Sequence, residues 1–310
     1  MRKPLISVIV PTYNHATFIE RSVSSVLAQT FSDYEIIIVD DGSQDDTPNL
    51  VSELWAAEDR VIYFRQENKG LGATRNKGLS LARGEFVQFL DSDDSIASGK
   101  FESQIRRFEE DKAADIVYSD YANLGGDKDH VGEVARPLVP GESPVSRLIR
   151  ENFMPVHSSL IKREVFDKEG GFDESRVALE DWDVWLRLAC RGYKFSYLPG
   201  VFAYYHHDGS TMTSNPEWMY QKIKYLLDKY LADPTFAQLG EDVIREFGFH
   251  QNFALATRSY NQQKWSRAIY HLLKAITTRY KVVDGGTWLL LLKAFAHQLL
   301  DAQTLLNRKC

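Results

Sequence analysis

The run Asp91-Ser92-Asp93-Asp94 sets three carboxylates within four residues. A turn or helix cap needs one acceptor oxygen, and Asp and Ser are favoured there for that reason alone. Three acids this close repel and raise one another's pKa unless a cation neutralises them. Mg2+ or Mn2+, which take oxygen ligands and keep positions open for phosphate oxygens, suit such a run. Asp91, Asp93 and Asp94 therefore predict a metal–diphosphate site. A second cluster, Asp40-Asp41-Gly42-Ser43, pairs carboxylates with a glycine turn, which can accept the ring N–H and ribose hydroxyls of a nucleotide. Pro11-Thr12-Tyr13-Asn14 should lie beside it, with Tyr13 offering an aromatic face to a base. The third cluster, Glu180-Asp181-Trp182-Asp183, opens a predicted helix. Any one cluster alone also fits ordinary caps and turns.

The elements that must position these acids can be read from hydrophobic pattern. Leu5–Val10, Glu35–Val39, Val61–Phe64, Glu85–Leu90 and Asp115–Ser119 are short runs rich in Val, Ile and Phe. Nearly continuous apolar positions predict strands buried on both faces of a mainly parallel sheet. Helical patterns fall between them. Thr17 and Glu20 have capping-box spacing ahead of Ile19, Val23, Val26 and Leu27, and Asp46 or Thr47 can cap the next helix. Repeated β–helix–β units imply right-handed crossovers and an α/β architecture. Ligands in such sheets gather beyond the carboxyl ends of the strands, where the first two acidic clusters fall.

The middle of the chain is less regular. Gly125-Gly126-Asp127 reads as a turn, and Pro137, Pro140 and Pro144 mark an irregular connection. A helix from about Leu179 to Arg191 and short strands near Phe195–Leu198 and Val201–Tyr205 follow. Beyond Pro216 the pattern is wholly helical, with Trp265, Ala268, Ile269, Leu272 and Ile276 on one stripe. The expected division is a catalytic α/β domain over 1–215 and a helical extension over 216–310.

The 310 residues carry 37 basic and 43 acidic side chains, a net charge of −6. That balance argues against a nucleic-acid partner, since phosphate-backbone readers carry a basic excess. Cys190 and Cys310 form neither a disulfide framework nor a metal cluster by spacing. The N-terminal apolar run is broken by Pro11 and reads as a strand, not a signal peptide. The apolar run Trp288–Leu300 is too short to span a bilayer. The expected location is the cytoplasm. Trp288, Lys281 and Lys293 make the C-terminal helices candidates for peripheral contact with the inner face of the plasma membrane or for homodimerisation.

The string SVIVPTYNHATFIERSVSSVLAQTFSDYEIIIVDDGSQDDT resembles the opening of family 2 glycosyltransferases of the GT-A type. NKGLGATRNKGLSLARGEFVQFLDSDD continues it through Asn68, Gly70, Arg75 and Asn76. Gly170–Glu174 and Leu179–Tyr193 match a later segment, so the resemblance covers about residues 4–213. It implies a nucleotide-diphospho-sugar donor, UDP by default, and a saccharide or lipid-linked saccharide acceptor in bacterial surface-glycan synthesis. It also implies one in-line displacement with inversion. By position, Pro11, Thr12, Tyr13, Asn14, Asp40, Asp41 and Arg75 would hold the nucleotide, with Asp91 and Ser92 at the donor. Asp93 and Asp94 would bind a divalent metal, Mn2+ or Mg2+, with His207 as a late contact to metal or phosphate. Asp181 would be the general base. Tyr205 stands where relatives commonly carry Arg, and His157 lies in a segment that lines the acceptor side in relatives.

Two other readings compete. A nucleotidyltransferase would need a Gly-rich basic loop after the first strand, and PTYNHATF has none. A non-catalytic sugar-nucleotide-binding scaffold or sensor would retain the fold and dispense with the acids. No G-x-G-x-x-G follows the first strand, which disfavours a Rossmann dehydrogenase.

Overall fold

The computed structural model describes residues 3–124, 132–133, 138, 142–175, 179–206, 215–278 and 285–307. The chain divides into two compact units, Met1–Pro144 with Asn152–Ser210, and Val145–Glu151 with Thr211–Cys310.

The first unit is built on β1 (Ile6–Thr12), α1 (Ile19–Leu27), β2 (Tyr34–Asp40), α2 (Thr47–Trp55), β3 (Val61–Arg65), α3 (Leu71–Leu81) and β4 (Phe86–Phe89). After these come β5 (Ser95–Ile96), α4 (Lys100–Glu110), β6 (Ile116–Leu124) and β7 (Gly132–Glu133). The unit is completed by β8 (Ser159–Lys162), α6 (Arg163–Glu169), α7 (Glu180–Cys190) and β9 (Phe195–His206), while α5 (Pro144–Leu148) lies almost wholly in the other unit. Strands run in the order β3-β2-β1-β4-β8-β6-β9-β5, with β7 beside β6. The half from β3 to β4 is parallel, in register Ile6 to Tyr34 and Ile6 to Phe86. Beyond it the sheet is mixed, because β8 runs antiparallel to both β4 and β6, and β5 antiparallel to β9.

The continuous apolar runs of β1 and β2 are buried throughout, as strands covered on both faces require. Ile6, Val8, Val10, Ile36 and Ile38 pack with Val23, Val26 and Phe101 in the core of this unit. Pro11 is tolerated in β1 because pairing with β4 has ended at Ile9. Helix α3 lies close on the sheet: a Cβ at Gly78 would come within 2.3 Å of Ile9 Cγ2. That approach carries Arg75, on the same helix, toward the strand ends.

Several local expectations resolve differently. Helix α1 starts at Ile19 with Phe18 at the cap and no side-chain cap bond, so Thr17 and Glu20 form no capping box. Instead the His15 carbonyl accepts from the amides of Phe18 and Ile19, both at 3.0 Å. At α2 the capping oxygen comes from Asp45, which accepts from the Thr47 amide at 3.1 Å and its hydroxyl at 2.6 Å. The two late strands join as β9, which runs parallel to β6 across an irregularity at Asp120. There Tyr197 Oη donates to Asp120 at 2.8 Å and the Gly200 amide does so at 3.1 Å. The turn expected at Gly125-Gly126-Asp127, and Pro137 and Pro140, lie outside the described residues.

The second unit contains α8 (Pro216–Ala232), α9 (Pro234–Ala237), α10 (Glu241–Asn261), α11 (Trp265–Thr278) and α12 (Gly285–Asn307). Asn215 caps α8 by accepting from the amides of Glu217 and Trp218. The α11 stripe read from sequence is the buried one: Ala268, Ile269, Leu272 and Ile276 pack with Ala256 on α10 and with Leu291 and Ala294 on α12. A polar chain is embedded here, with Tyr220 Oη 2.7 Å from His271 Nε2 and His271 Nδ1 2.9 Å from Asn252 Oδ1.

Candidate active site at the carboxyl end of the sheet

The loops after β1, β2 and β3 form one hydrogen-bonded group. The Asn14 amide donates to Ser43 Oγ at 2.9 Å, and Asn14 Oδ1 accepts from the Gln44 amide at 2.7 Å. Asn14 adopts a left-handed φ of 54°, which its short polar side chain tolerates. Asp40 is fully buried and accepts from the Ser43 amide at 2.7 Å and Tyr63 Oη at 2.6 Å. Asp41 accepts from Gln66 Nε2 at 2.9 Å and from the amides of Lys69 and Gly70 at 2.8 Å. Three of roughly four lone-pair sites on its carboxylate are thus used. Gly42 must be glycine: its φ is 82°, and a Cβ would lie 3.1 Å from the Asn68 amide nitrogen. Pro11 and Thr12 are buried, Tyr13 is 43% exposed, and Thr12 Oγ1 is buried without a hydrogen-bond partner.

The Asp91–Asp94 turn follows β4 and is held from α1. Ser22 Oγ donates to the Asp91 carbonyl at 3.2 Å, Arg21 donates to the Asp93 carbonyl, and His15 Nδ1 lies 2.7 Å from Ser92 Oγ. The three carboxylates then diverge. Asp91 turns onto Arg75 Nη2 at 2.6 Å. Asp94 accepts the His206 amide at 3.0 Å and faces His157 Nδ1 at 3.2 Å. Asp93 is part-buried, with His15 and Arg21 as the nearby groups that favour its charge.

Arg75 joins the two distant acidic clusters. Its other terminal nitrogen, Nη1, contacts Glu180 at 2.6 Å, and its guanidinium sits 5.3 Å from the Phe172 ring centre. The side chain is 2% exposed. Burial opposes its charge, but Asp91 and Glu180 outweigh that and hold it protonated. Helix α7 begins at this point, with Leu179 left-handed at its cap. Its acids Glu180, Asp181 and Asp183 stand in the first turn, where the helix dipole favours negative charge. Asp181 accepts from Asn152 Nδ2 at 3.0 Å and from the Trp182 amide at 2.7 Å.

These surroundings separate the acids electrostatically. Burial, with Asp91 and Asp93 adding, pushes Asp94 up to about 9. Burial lowers its partner His157 to about 4. Burial thus favours the neutral form of both partners. Burial and then Asp91 raise Asp93. Burial and Glu180 raise Asp181 to about 6, against Arg75 and Asn152. Tyr205 stacks on His157 with ring centres 6.1 Å apart. Its phenol is raised by burial and then by Asp94, Asp93, Asp91 and Asp181, so it borders both acidic clusters.

Among the described residues no group of three or more His, Cys, Asp and Glu is arranged to hold a metal by itself. With Asp91 on Arg75 and Asp94 on His157, Asp93 is the acid left to meet a cation. Its raised pKa marks a carboxylate whose charge a cation would relieve. The donor set fits an ion that takes its other ligands from diphosphate oxygens and water. His207 lies outside the described residues. Asn152 and His15, which complete the site, carry no spacing signal that would have singled them out, and His157, noted through the resemblance, faces Asp94.

A family model described as Glycosyl transferase family 2 matches residues 7–170, and the chain belongs to that family. Among curated relatives, the chondroitin synthase of Escherichia coli is 32% identical over 189 residues, 61% of this chain and 27% of that protein. A GalNAc(5)-diNAcBac-PP-undecaprenol beta-1,3-glucosyltransferase of Campylobacter jejuni is 42% identical over 109 residues, 34% of this chain and 35% of that protein. The chain thus spans well under half the length of these two relatives. Among solved structures, S. aureus TarS 1-349 matches with a TM-score of 0.69 at 22% identity, covering 94% of this chain and 87% of that one. The Pyrobaculum calidifontis mannosyltransferase PcManGT, in complex with GDP-Man and Mn2+, matches with a TM-score of 0.59 at 19% identity, covering 96% and 81%. The sheet and its flanking helices are those of the GT-A fold.

Proposed function

We propose that this protein transfers a sugar from a nucleoside-diphosphate donor to an acceptor hydroxyl with inversion, using Asp181 as the base. The observation that carries this is Arg75, which contacts Asp91 and Glu180 at 2.6 Å each and so draws the two acidic segments to one point. Family membership supports the transferase class.

Asp181 is suited to accept a proton. A carboxylate raised to about 6 is a stronger base than an ordinary aspartate and is still ionised at neutral pH. Its hydrogen bonds from Asn152 and Trp182 fix its direction. In the reaction the acceptor O–H gives its proton to Asp181 as the oxygen forms a bond to the anomeric carbon. The bond from that carbon to the diphosphate oxygen breaks, and the nucleoside diphosphate leaves with the electron pair. Tyr13, Asp41 and the buried Thr12 hydroxyl would hold the nucleoside. Asp93 would hold a divalent cation, Mn2+ or Mg2+, which when bound offsets negative charge on the departing diphosphate.

UDP is the proposed nucleotide. TarS 1-349 has been crystallised with UDP-GlcNAc, and PcManGT with GDP-Man. The proposed setting is bacterial surface-glycan synthesis, with a saccharide or a lipid-linked saccharide as acceptor, as the name of the Campylobacter relative suggests. The test is turnover of UDP-, GDP- and dTDP-sugars with Mn2+ and with chelator. Manganese-dependent release of one nucleoside diphosphate, lost in Asp181→Asn, is expected. Tight nucleotide binding with no turnover of any donor would favour a binding protein.

A further inference from the structure

The last helix presents an apolar stripe to solvent. On α12, Trp288 is 47% exposed, Leu289 52%, Leu292 64% and Phe295 42%. At 100° per residue these four fall within an arc of about 120°, opposite Thr287, Leu291 and Ala294, which are buried. The exposed Lys293 lies at one rim of the stripe. Scattered single apolar residues on a surface need no explanation, but a continuous stripe of this kind marks an interaction site.

Charge indicates what covers it. From Trp265 to Asn307, the end of α12, the sequence has five basic residues, Arg267, Lys274, Arg279, Lys281 and Lys293, against Asp284 and Asp301, and of these Arg267 is already paired with Glu217 at 2.8 Å. The whole chain is at −6, so this basic segment runs against the overall balance. A second copy is a poor occupant, because a two-fold interface sets the same patch against itself and would oppose like charges. A stripe of Trp, Leu and Phe beside lysines, with no carboxylate among the described side chains of α11 and α12, matches an anionic lipid surface. No helix among the described residues is long and apolar enough to cross a membrane, so the contact would lie on the bilayer.

We infer that α12 docks the protein on anionic membranes, inserting Trp288, Leu292 and Phe295 at the level of the headgroups. This does not depend on the catalytic reading. The test is co-sedimentation of the full chain with phosphatidylcholine vesicles containing phosphatidylglycerol. Binding is expected to anionic vesicles, to weaken with added salt, and to be much weaker with phosphatidylcholine alone. The double change Leu292→Asn with Phe295→Asn should reduce affinity at least about tenfold. Lys293→Glu, a fully surface change that leaves the stripe intact, should reduce it about fivefold or more. Absence of binding to anionic vesicles, or unchanged binding by Lys293→Glu and the double variant alike, overturns the inference. So does self-association by light scattering that the double variant abolishes while vesicle binding is unaffected.

Discussion

Arg75 donates to Glu180 at 2.6 Å across 105 residues of chain. The contact ties α3 to the first turn of α7, which also carries Asp181, and Arg75 bridges that turn to Asp91. Its guanidinium is buried and serves two carboxylates at once from separate nitrogens of a planar fork, a reach that the single nitrogen of a lysine does not reproduce.

Replacing Arg75 by Ala should leave Asp91 and Glu180 without their counter-charge. Removing one member of a buried ion pair costs about 3–5 kcal/mol, and the lower end applies because Asp91 is partly solvated. Arg75→Lys should recover only part of this. Urea unfolding of the three proteins checks the order, and an Arg75→Ala stability equal to wild type would contradict it.

Asp94 offers a pH test of the buried pair. Its pKa stands near 9 in the fold through burial, Asp91 and Asp93, against about 3.9 in the unfolded chain. A group raised on folding contributes stability that is full below its unfolded pKa and declines as pH rises through its folded one. Asp94→Asn keeps an acceptor for the His206 amide and abolishes the titration. Its melting temperature relative to wild type should therefore climb steadily from pH 5 to pH 8. A difference that does not change with pH would show that Asp94 is already ionised in the fold.

Lys100 has the opposite sign. It is fully buried, donates to Gln88 at 2.7 Å and Gln104 at 2.6 Å, and burial alone depresses its pKa. The unfolded chain then binds the proton more tightly, so stability is lost as pH falls through the folded value. Lys100→Met should flatten the acid side of the stability profile, measured by denaturant midpoints from pH 8 down to 5. An unchanged slope would count against the assignment.

As the proposed base, Asp181 should govern activity rather than folding. With a value near 6, it is protonated below that pH and cannot take the acceptor's proton. The rate should fall about tenfold per pH unit on the acid side of 6 and level off above it. A single-turnover pH profile checks this, with Asn152→Ala moving the inflection upward because Asn152 favours the charged form.

Much of this arrangement was legible in the residues. The apolar runs of β1, β2, β4 and β6 announce buried strands, and the acids at strand ends announce a site; the run at β3, read the same way, is an edge strand that stays partly exposed. The antiparallel pairings were not legible. β8 is four residues, Ser159–Lys162, and β5 is two, Ser95–Ile96, too short for a period to show. Their strand state comes from pairing with β4, β6 and β9. These short antiparallel partners make the sheet mixed, while β3 to β4 and the long β6–β9 pair run parallel as expected. Nor does spacing reveal that Asp94 is paired with His157 while Asp93 is not, because that depends on a turn brought in 63 residues later. The capping box at Thr17 failed because the His15 carbonyl already starts the helix.

The most direct test is calorimetric titration of UDP in the presence of Mn2+ into wild type, Asp93→Ala and Asp181→Asn, with donor turnover measured on each. Convergence of the two acidic clusters on one donor predicts that Asp93→Ala loses manganese-dependent affinity, and that Asp181→Asn keeps affinity and loses turnover. Wild-type manganese-dependent affinity in Asp93→Ala, or wild-type turnover in Asp181→Asn, would contradict it.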